Sequence, residues 1–166
     1  MNKKGQAAME FLMTYGWAIV VVLAAIGALA YFGVLSPEKL LPDRTTFSAP
    51  IPNVDNAVVR LSGNSVEVAF RNNKGIAISI PRTSNFTSAQ CTNVPVMTVS
   101  DTTGADIPIG QAIQNGAGFN VKWTCTPAAG SVTGSKFKAD VSFNYINTET
   151  GQIIPQTGTI EGKFGG

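Results

Sequence analysis

The chain has 166 residues and a mass of 17.4 kDa, which is the size of one domain with a short additional segment. Charged residues make up only 13% of it and histidine is absent, which excludes Ser-His-Asp and Cys-His catalytic sites and zinc sites built with histidine. The formal net charge is +2 without a cluster of Lys and Arg, so we expect no nucleic-acid partner.

A long uncharged segment lies near the N-terminus. Residues 11–37 contain no charged side chain, and Ala, Val, Ile and Leu dominate the segment as far as Leu35. Because about 20 apolar residues in a helix can cross a bilayer, we predict a hydrophobic helix over residues 6–35. A secretory signal peptide fits less well, since its apolar region is usually about 7–15 residues long. Lys3 and Lys4 would stay on the cytoplasmic side, which places the C-terminal part outside.

Glu10 is an ionisable residue at the edge of the apolar segment, where an unpaired carboxylate is costly. In one interpretation it extends toward the lipid headgroups or favours the start of the helix. In the other it pairs with a positive group supplied by another chain. Proteolysis after Gly5 would create such a group, the free α-amino group of Gln6.

Prolines separate the helix from the rest of the chain. Four of them fall within residues 36–52, where they break a helix and favour extended backbone. We therefore predict a Pro-rich hinge over residues 36–52 and a β domain over residues 53–166.

Alternating apolar and polar residues predict short strands throughout the β domain. The sequence Asn72-Asn73-Lys74-Gly75 lies between two such strands and is typical of a hairpin turn. The strands are expected at residues 57–61, 65–71, 76–80, 94–99, 107–113, 119–125, 136–147 and 152–163. The chain is thus predicted to be α+β, with a long N-terminal hydrophobic helix followed by an all-β antiparallel sandwich or barrel-like domain.

A few residues of the β domain are candidates for covalent or metal chemistry. Cys91 and Cys125 are the only cysteines, and in a domain outside the membrane a disulfide is the expected state, with two buried free thiols as the alternative. Asn85 begins the glycosylation sequon Asn-Phe-Thr. Asp101 and Asp106 flank a loop that could hold Ca²⁺, although a solvated turn is the simpler interpretation. No motif joins a nucleophile to a base, so we expect no enzyme activity, no metal site and no cofactor.

The N-terminal residues also resemble a known family. Lys3-Lys4-Gly5-Gln6-Ala7-Ala8-Met9-Glu10, followed by the apolar segment, is similar to the class III signal peptide of archaeal type IV pilins. The family pattern is Gln-x-Ser-x-Glu with a Leu four residues later. Gln6 and Glu10 match it, whereas Ala8 stands in place of the Ser and Thr14 in place of the Leu.

The resemblance implies a processing and assembly pathway. A prepilin peptidase would cut between Gly5 and Gln6, removing residues 1–5 and leaving ten basic and ten acidic side chains. The helix would first anchor the precursor in the cytoplasmic membrane and then, with the pilus assembly machinery, pack in the core of a helical homopolymer. Gln6 and Glu10 would set the axial register between subunits. The core contacts would come from Phe11, Leu12, Val20, Leu23, Ile26 and Gly27.

By analogy with the family, we expect a cell-surface filament that serves adhesion. Three alternatives remain open at this point. The chain could be a membrane-anchored monomer that displays its domain without polymerising, an archaellin of a swimming filament, or a minor pilin within a filament of another protein.

Overall fold

The chain divides into two units, residues 1–41 and residues 42–166. We describe them from a computed structural model over residues 3–31, 42–48, 51–55, 57–60 and 63–165, with side chains from residue 9 onward. The first unit contains one helix, α1 (Lys3–Tyr31), of 29 residues. The predicted helix is therefore confirmed as far as Tyr31, and residues 32–35 lie outside the described residues.

The second unit is built from antiparallel strands in two sheets. The strands are β1 (Arg44–Phe47), β2 (Val58–Arg60), β3 (Ser65–Arg71), β4 (Ile78–Ser79), β5 (Ser84–Thr87), β6 (Met97–Asp101), β7 (Gly118–Thr124), β8 (Lys136–Asn147) and β9 (Ile153–Lys163). The five-stranded sheet has the order β1-β9-β8-β4, with β5 also paired to β8, and the four-stranded sheet has the order β2-β3-β7-β6. An N-terminal apolar helix followed by antiparallel sheets confirms the predicted α+β layout.

Aromatic residues from both sheets meet in the core between them. Phe70 of the four-stranded sheet lies 4.8 Å from Phe47 and 5.3 Å from Phe143 of the five-stranded sheet, measured between ring centroids and with edge-to-face geometry. Trp123 is fully buried, and its indole N–H donates to the Ser84 hydroxyl at 3.3 Å. These contacts hold the sheets face to face, as in a sandwich.

The predicted hinge contains part of the β domain. β1 lies inside residues 36–52 and pairs with β9, so the second unit begins at Pro42 rather than at residue 53. Phe47 and Ile51 of this segment are buried in the core. The side-chain amide of Gln156 also donates to the backbone carbonyls of Ser48 and Ile51. Burial of these side chains in the core therefore makes this segment part of the β domain, although its prolines favour an extended hinge. Residues 32–41 and 49–50 lie outside the described residues.

The predicted hairpin at Asn72-Gly75 is wrong. β3 and β4 are in different sheets, so the segment between them crosses the sandwich. Asn72 is fully buried, and its amide nitrogen donates to the carbonyls of Ile76 at 2.8 Å and Ile113 at 2.9 Å. The segment therefore forms a crossover and not a hairpin, because hydrogen bonds from the Asn72 side chain take the place of pairing between β3 and β4.

Two further differences concern residues 107–113 and β5. No strand forms over residues 107–113, because Pro108 has no N–H to donate and Gly110 adopts a positive φ of 85° in a turn. Only Ile113 there bridges to Ile78. β5 was not predicted, because only Phe86 among its four residues is apolar.

Candidate functional site

The large apolar side chains of helix α1 are exposed. Over Met9–Tyr31 it is long and apolar enough to cross a membrane, and its length of about 34 Å, at about 1.5 Å per residue, is close to the hydrocarbon thickness of about 30 Å. The larger side chains predicted to form the filament core are exposed: Phe11 61%, Leu12 65%, Val20 64%, Leu23 62% and Ile26 49%. An exposed apolar surface of this size is typical of a segment that contacts a membrane or another protein surface.

Small residues leave space on the same helix. A side chain built at Gly27 would meet nothing within 4 Å among the described residues. Another helix could therefore approach the backbone closely there, as in membrane helix pairs. The structure thus leaves Gly27 available for the contact predicted for it, although Gly33 and the other residues of 32–35 lie outside the described residues.

Glu10 is the single charged residue between Met9 and Tyr31. It is exposed, and its backbone carbonyl accepts a hydrogen bond from the Thr14 hydroxyl at 2.8 Å. Its carboxylate has no partner among the described side chains. Gly5 and Gln6 lie in the first turns of α1, and their side-chain surroundings fall outside the description. The register pair of Gln6 and Glu10 therefore remains a prediction.

The disulfide between Cys91 and Cys125 is present, which confirms that prediction. Cys91 lies between β5 and β6, where the chain passes from one sheet to the other, and Cys125 directly follows β7. Backbone hydrogen bonds continue on either side of the bridge, from the Thr92 N–H to the Thr126 carbonyl at 2.9 Å and from the Ala128 N–H to the Gln90 carbonyl at 2.8 Å. The disulfide thus joins the segment that connects the two sheets to the residue that follows β7.

Asp101 and Asp106 do not act together. The Asp101 carboxylate accepts hydrogen bonds from the Thr103 hydroxyl at 2.6 Å and from the Thr103 and Ala105 N–H groups. The Thr103 hydroxyl, more than the other donors, lowers the pKa of Asp101 from its ordinary value. Asp106 instead pairs with Arg82 at 2.6 Å. The loop is thus a turn whose N–H groups donate to the Asp101 side chain. Within the described residues there is no cluster of three potential metal ligands.

Asn85 lies at a groove on the outer face of the five-stranded sheet. Its side chain is exposed on β5 and its cross-strand neighbour is Ser142 of β8. The groove has a volume of about 620 Å³ and crosses four strands. It was not predicted, because its residues come from segments far apart in the sequence. They are Thr46, Phe47, Ser48, Asn85, Thr87, Asp140, Val141, Ser142, Thr157, Gly158 and Thr159.

Comparisons with known proteins find only distant structural likeness. No protein-family model and no curated protein matches the chain. A conjugative transposon lipoprotein of Bacteroides eggerthii is 12% identical, covers 74% of this chain and 97% of its own, and has a TM-score of 0.26. A Bacteroides thetaiotaomicron lipoprotein is 11% identical, covering 76% and 81%, with a TM-score of 0.27. The thioester domain of the Enterococcus faecium TIE86 protein is 11% identical, covering 75% and 43%, with a TM-score of 0.27. All three TM-scores are below 0.5, so these likenesses carry no argument about function.

Proposed function

We propose that this chain is a structural subunit of an archaeal type IV pilus, a surface filament that serves adhesion rather than catalysis. The observation that carries the proposal is the form of α1. Between Met9 and Tyr31 it exposes large apolar side chains and has a single charge, Glu10, at its N-terminal end. The sequence from Lys3 to Glu10, which resembles a prepilin peptidase site, supports the same function.

Assembly would exchange one apolar environment for another. The helix is held by lipid in the precursor, and in the filament the helices of neighbouring subunits would replace lipid. Large side chains such as Leu23 and Ile26 would fill the spaces between helices, while Gly27 would permit close approach. A subunit that left the finished filament would expose this apolar surface to water, at a cost of about 25 cal/mol per Å², so the filament would be persistent.

Glu10 would determine where each helix stops against its neighbour. A carboxylate inside an apolar bundle is strongly disfavoured unless a positive group faces it. Cleavage after Gly5 would supply that group as the α-amino group of Gln6 in an adjacent subunit. Only one axial offset brings the two charges together, so the pair would specify register more than it adds stability.

The test is to shear filaments from the native cells and to measure the N-terminus and intact mass of this chain by mass spectrometry. We expect filament material that begins at Gln6. Glu10→Ala should reduce the amount of sheared filament at least about tenfold. The variant would leave the α-amino group of Gln6 as an unpaired charge within the bundle, which costs several kcal/mol. Glu149→Ala is the matched control, because Glu149 is an exposed carboxylate in the turn between β8 and β9. Equal filament yields from the Glu10→Ala variant and wild type would contradict the register role.

A second candidate is a membrane-anchored monomer that displays its β domain at the surface. The close match between the length of the apolar span Met9–Tyr31 and the thickness of a bilayer favours it. This candidate predicts a chain that still begins near Met1 and is found only in membranes. That result would overturn the pilus proposal.

A further inference from the structure

The groove on the outer face of the five-stranded sheet is lined in rows set by strand pairing. One row runs across four strands through Thr46, Thr159, Asp140 and Thr87. The next row runs through Thr157, Ser142 and Asn85. With neighbouring strands about 4.8 Å apart, the longer row extends about 14 Å. The two rows therefore form an ordered array of polar side chains within a groove that Phe47, Val141 and Gly158 also line.

Much of this array has unused hydrogen-bonding capacity. The Thr46 and Thr159 hydroxyls bond each other at 2.9 Å, and the Ser48 hydroxyl donates to the Thr157 carbonyl at 3.2 Å. The side chains of Asn85, Thr87, Asp140, Ser142 and Thr157 make no hydrogen bond to the described residues. The Asp140 carboxylate also interacts electrostatically with the Lys138 ammonium group. An amide, three hydroxyls and a carboxylate therefore face the groove as free donors and acceptors.

The chemistry of the lining selects among classes of ligand. None of the lining residues is cationic and Asp140 is anionic, so phosphate-bearing and sulfated ligands are disfavoured. The groove lies on the face of the sheet and not along an edge strand, so a peptide could not extend the sheet there. Phe47, Val141 and Gly158 line the groove beside the polar rows, so the surface has both apolar and polar character. A sugar ring, with C–H faces and hydroxyls that both donate and accept, matches that combination.

We propose that this groove binds a neutral saccharide of a foreign surface, in contact with Asn85, Asp140, Ser142 and Thr157. The proposal deepens the adhesive role proposed above, because it names the class of molecule that the domain recognises. The groove volume of about 620 Å³ lies within the range of about 300–1,000 Å³ that is usual for small-molecule sites. The groove lies within the second unit, so it would be complete in a single subunit.

The test uses the full chain in detergent, unassembled and produced without N-glycosylation. The probes are cellohexaose, chitohexaose and mannohexaose, with a heparin-derived hexasaccharide as the anionic comparison, and binding is measured by saturation-transfer NMR. We expect at least one neutral probe to bind. The variant Ser142→Ala/Thr157→Val should bind that probe at least about tenfold more weakly, since each lost hydrogen bond contributes about 1 kcal/mol. This variant keeps the sequon at Asn85 intact.

The matched control is Ser100→Ala/Thr98→Val, which removes the same groups from β6 in the other sheet. It should bind as wild type does. Binding of no neutral probe, binding of the anionic probe alone, or equal loss in both variants would overturn the proposal. A glycan mass on Asn85 in native material would also overturn it, because the saccharide of the chain itself would then occupy the groove. None of these results depends on filament formation, so the two proposals fail separately.

Discussion

At the scale of single residues, Asn72 directs the path of the chain between the sheets. In addition to the two bonds from its amide nitrogen, its side-chain oxygen accepts from the Lys74 N–H at 3.1 Å. Its backbone N–H donates to the Ala117 carbonyl at 3.0 Å, and its carbonyl accepts from the Gly116 N–H at 2.7 Å. All the hydrogen-bonding groups of this buried residue are therefore used, and they join residues 72–76 to residues 113–117.

We expect Asn72→Ala to lower the free energy of unfolding by about 2–4 kcal/mol, since it removes three side-chain hydrogen bonds and leaves backbone groups unpaired. Chemical denaturation followed by tryptophan fluorescence measures this loss. Asn73→Ala is the control, because Asn73 is adjacent and exposed, and it should change the free energy by no more than about 0.5 kcal/mol. Similar losses in both variants would show that the crossover does not depend on Asn72.

Asp101 offers a test of local electrostatics. Its lowered pKa means that the folded state binds fewer protons than the unfolded chain just below pH 3.8. The contribution of Asp101 to stability is thus complete above that pH and is lost as the pH falls through the pKa of the folded state. Thr103→Val removes the hydroxyl that lowers this pKa most, so an NMR titration should show the pKa of Asp101 moving up toward 3.8.

Glu161 provides the internal control in the same titration. The hydrogen bond from Lys138, at 2.9 Å, lowers its pKa independently of Thr103. The pKa of Glu161 should therefore be the same in wild type and in Thr103→Val. An unchanged pKa of Asp101 in that variant would mean that the backbone N–H groups alone set it.

At the scale of elements, sequence patterns predict strands well where a row of several apolar residues is buried and poorly where the strand is short and largely polar. β3 and β8 have the predicted bounds, because their inward residues alternate regularly. β1 and β5 are short and rich in Thr, Ser and Asn, so their pairing partners determine that they are strands. The outer groove could not be predicted either, because its lining depends on how strands that are remote in the sequence pair with each other.

The predicted disulfide illustrates the opposite case. The sequence has two cysteines, which allow one intramolecular disulfide. The expected location outside the membrane was enough to predict that disulfide. Its structural role could not be predicted, because the passage from β5 to β6 becomes visible only once the sheets are assigned.

We expect reduction of this disulfide to lower the free energy of unfolding by about 3–4 kcal/mol, since the bridge closes a loop between residues 34 positions apart. Urea unfolding of the oxidised and the reduced chain measures the difference. The double variant Cys91→Ala/Cys125→Ala is the control, and reductant should not change its transition, because the chain has no other cysteine. Identical transitions of the oxidised and reduced wild type would contradict a stabilising role.

At the scale of the whole molecule, the buried core found among the described residues lies in the second unit. The buried residues run from Thr45 to Phe164, while every described side chain of α1 is exposed or half-buried. The stability of the β domain should therefore be independent of the helix.

We expect a fragment of residues 42–166 to fold in water without detergent. Trp123 is then its only tryptophan, since Trp17 lies in α1, so fluorescence reports the core alone. Its emission should be blue-shifted and should change in one cooperative urea transition. Phe70→Ala in the fragment should cost about 3–5 kcal/mol, because Phe70 is in the centre of the aromatic core. An emission typical of exposed tryptophan would show that the domain requires its helix.

The pairing of β1 with β9 has a consequence for the order of events during synthesis. Arg44–Phe47 is paired with residues 158–161, close to the end of the chain. The five-stranded sheet therefore cannot complete this pairing until residues 158–161 have been synthesised, and contacts so distant in sequence form slowly. We expect the pairing of β1 with β9 to be among the last contacts that form as the second unit folds.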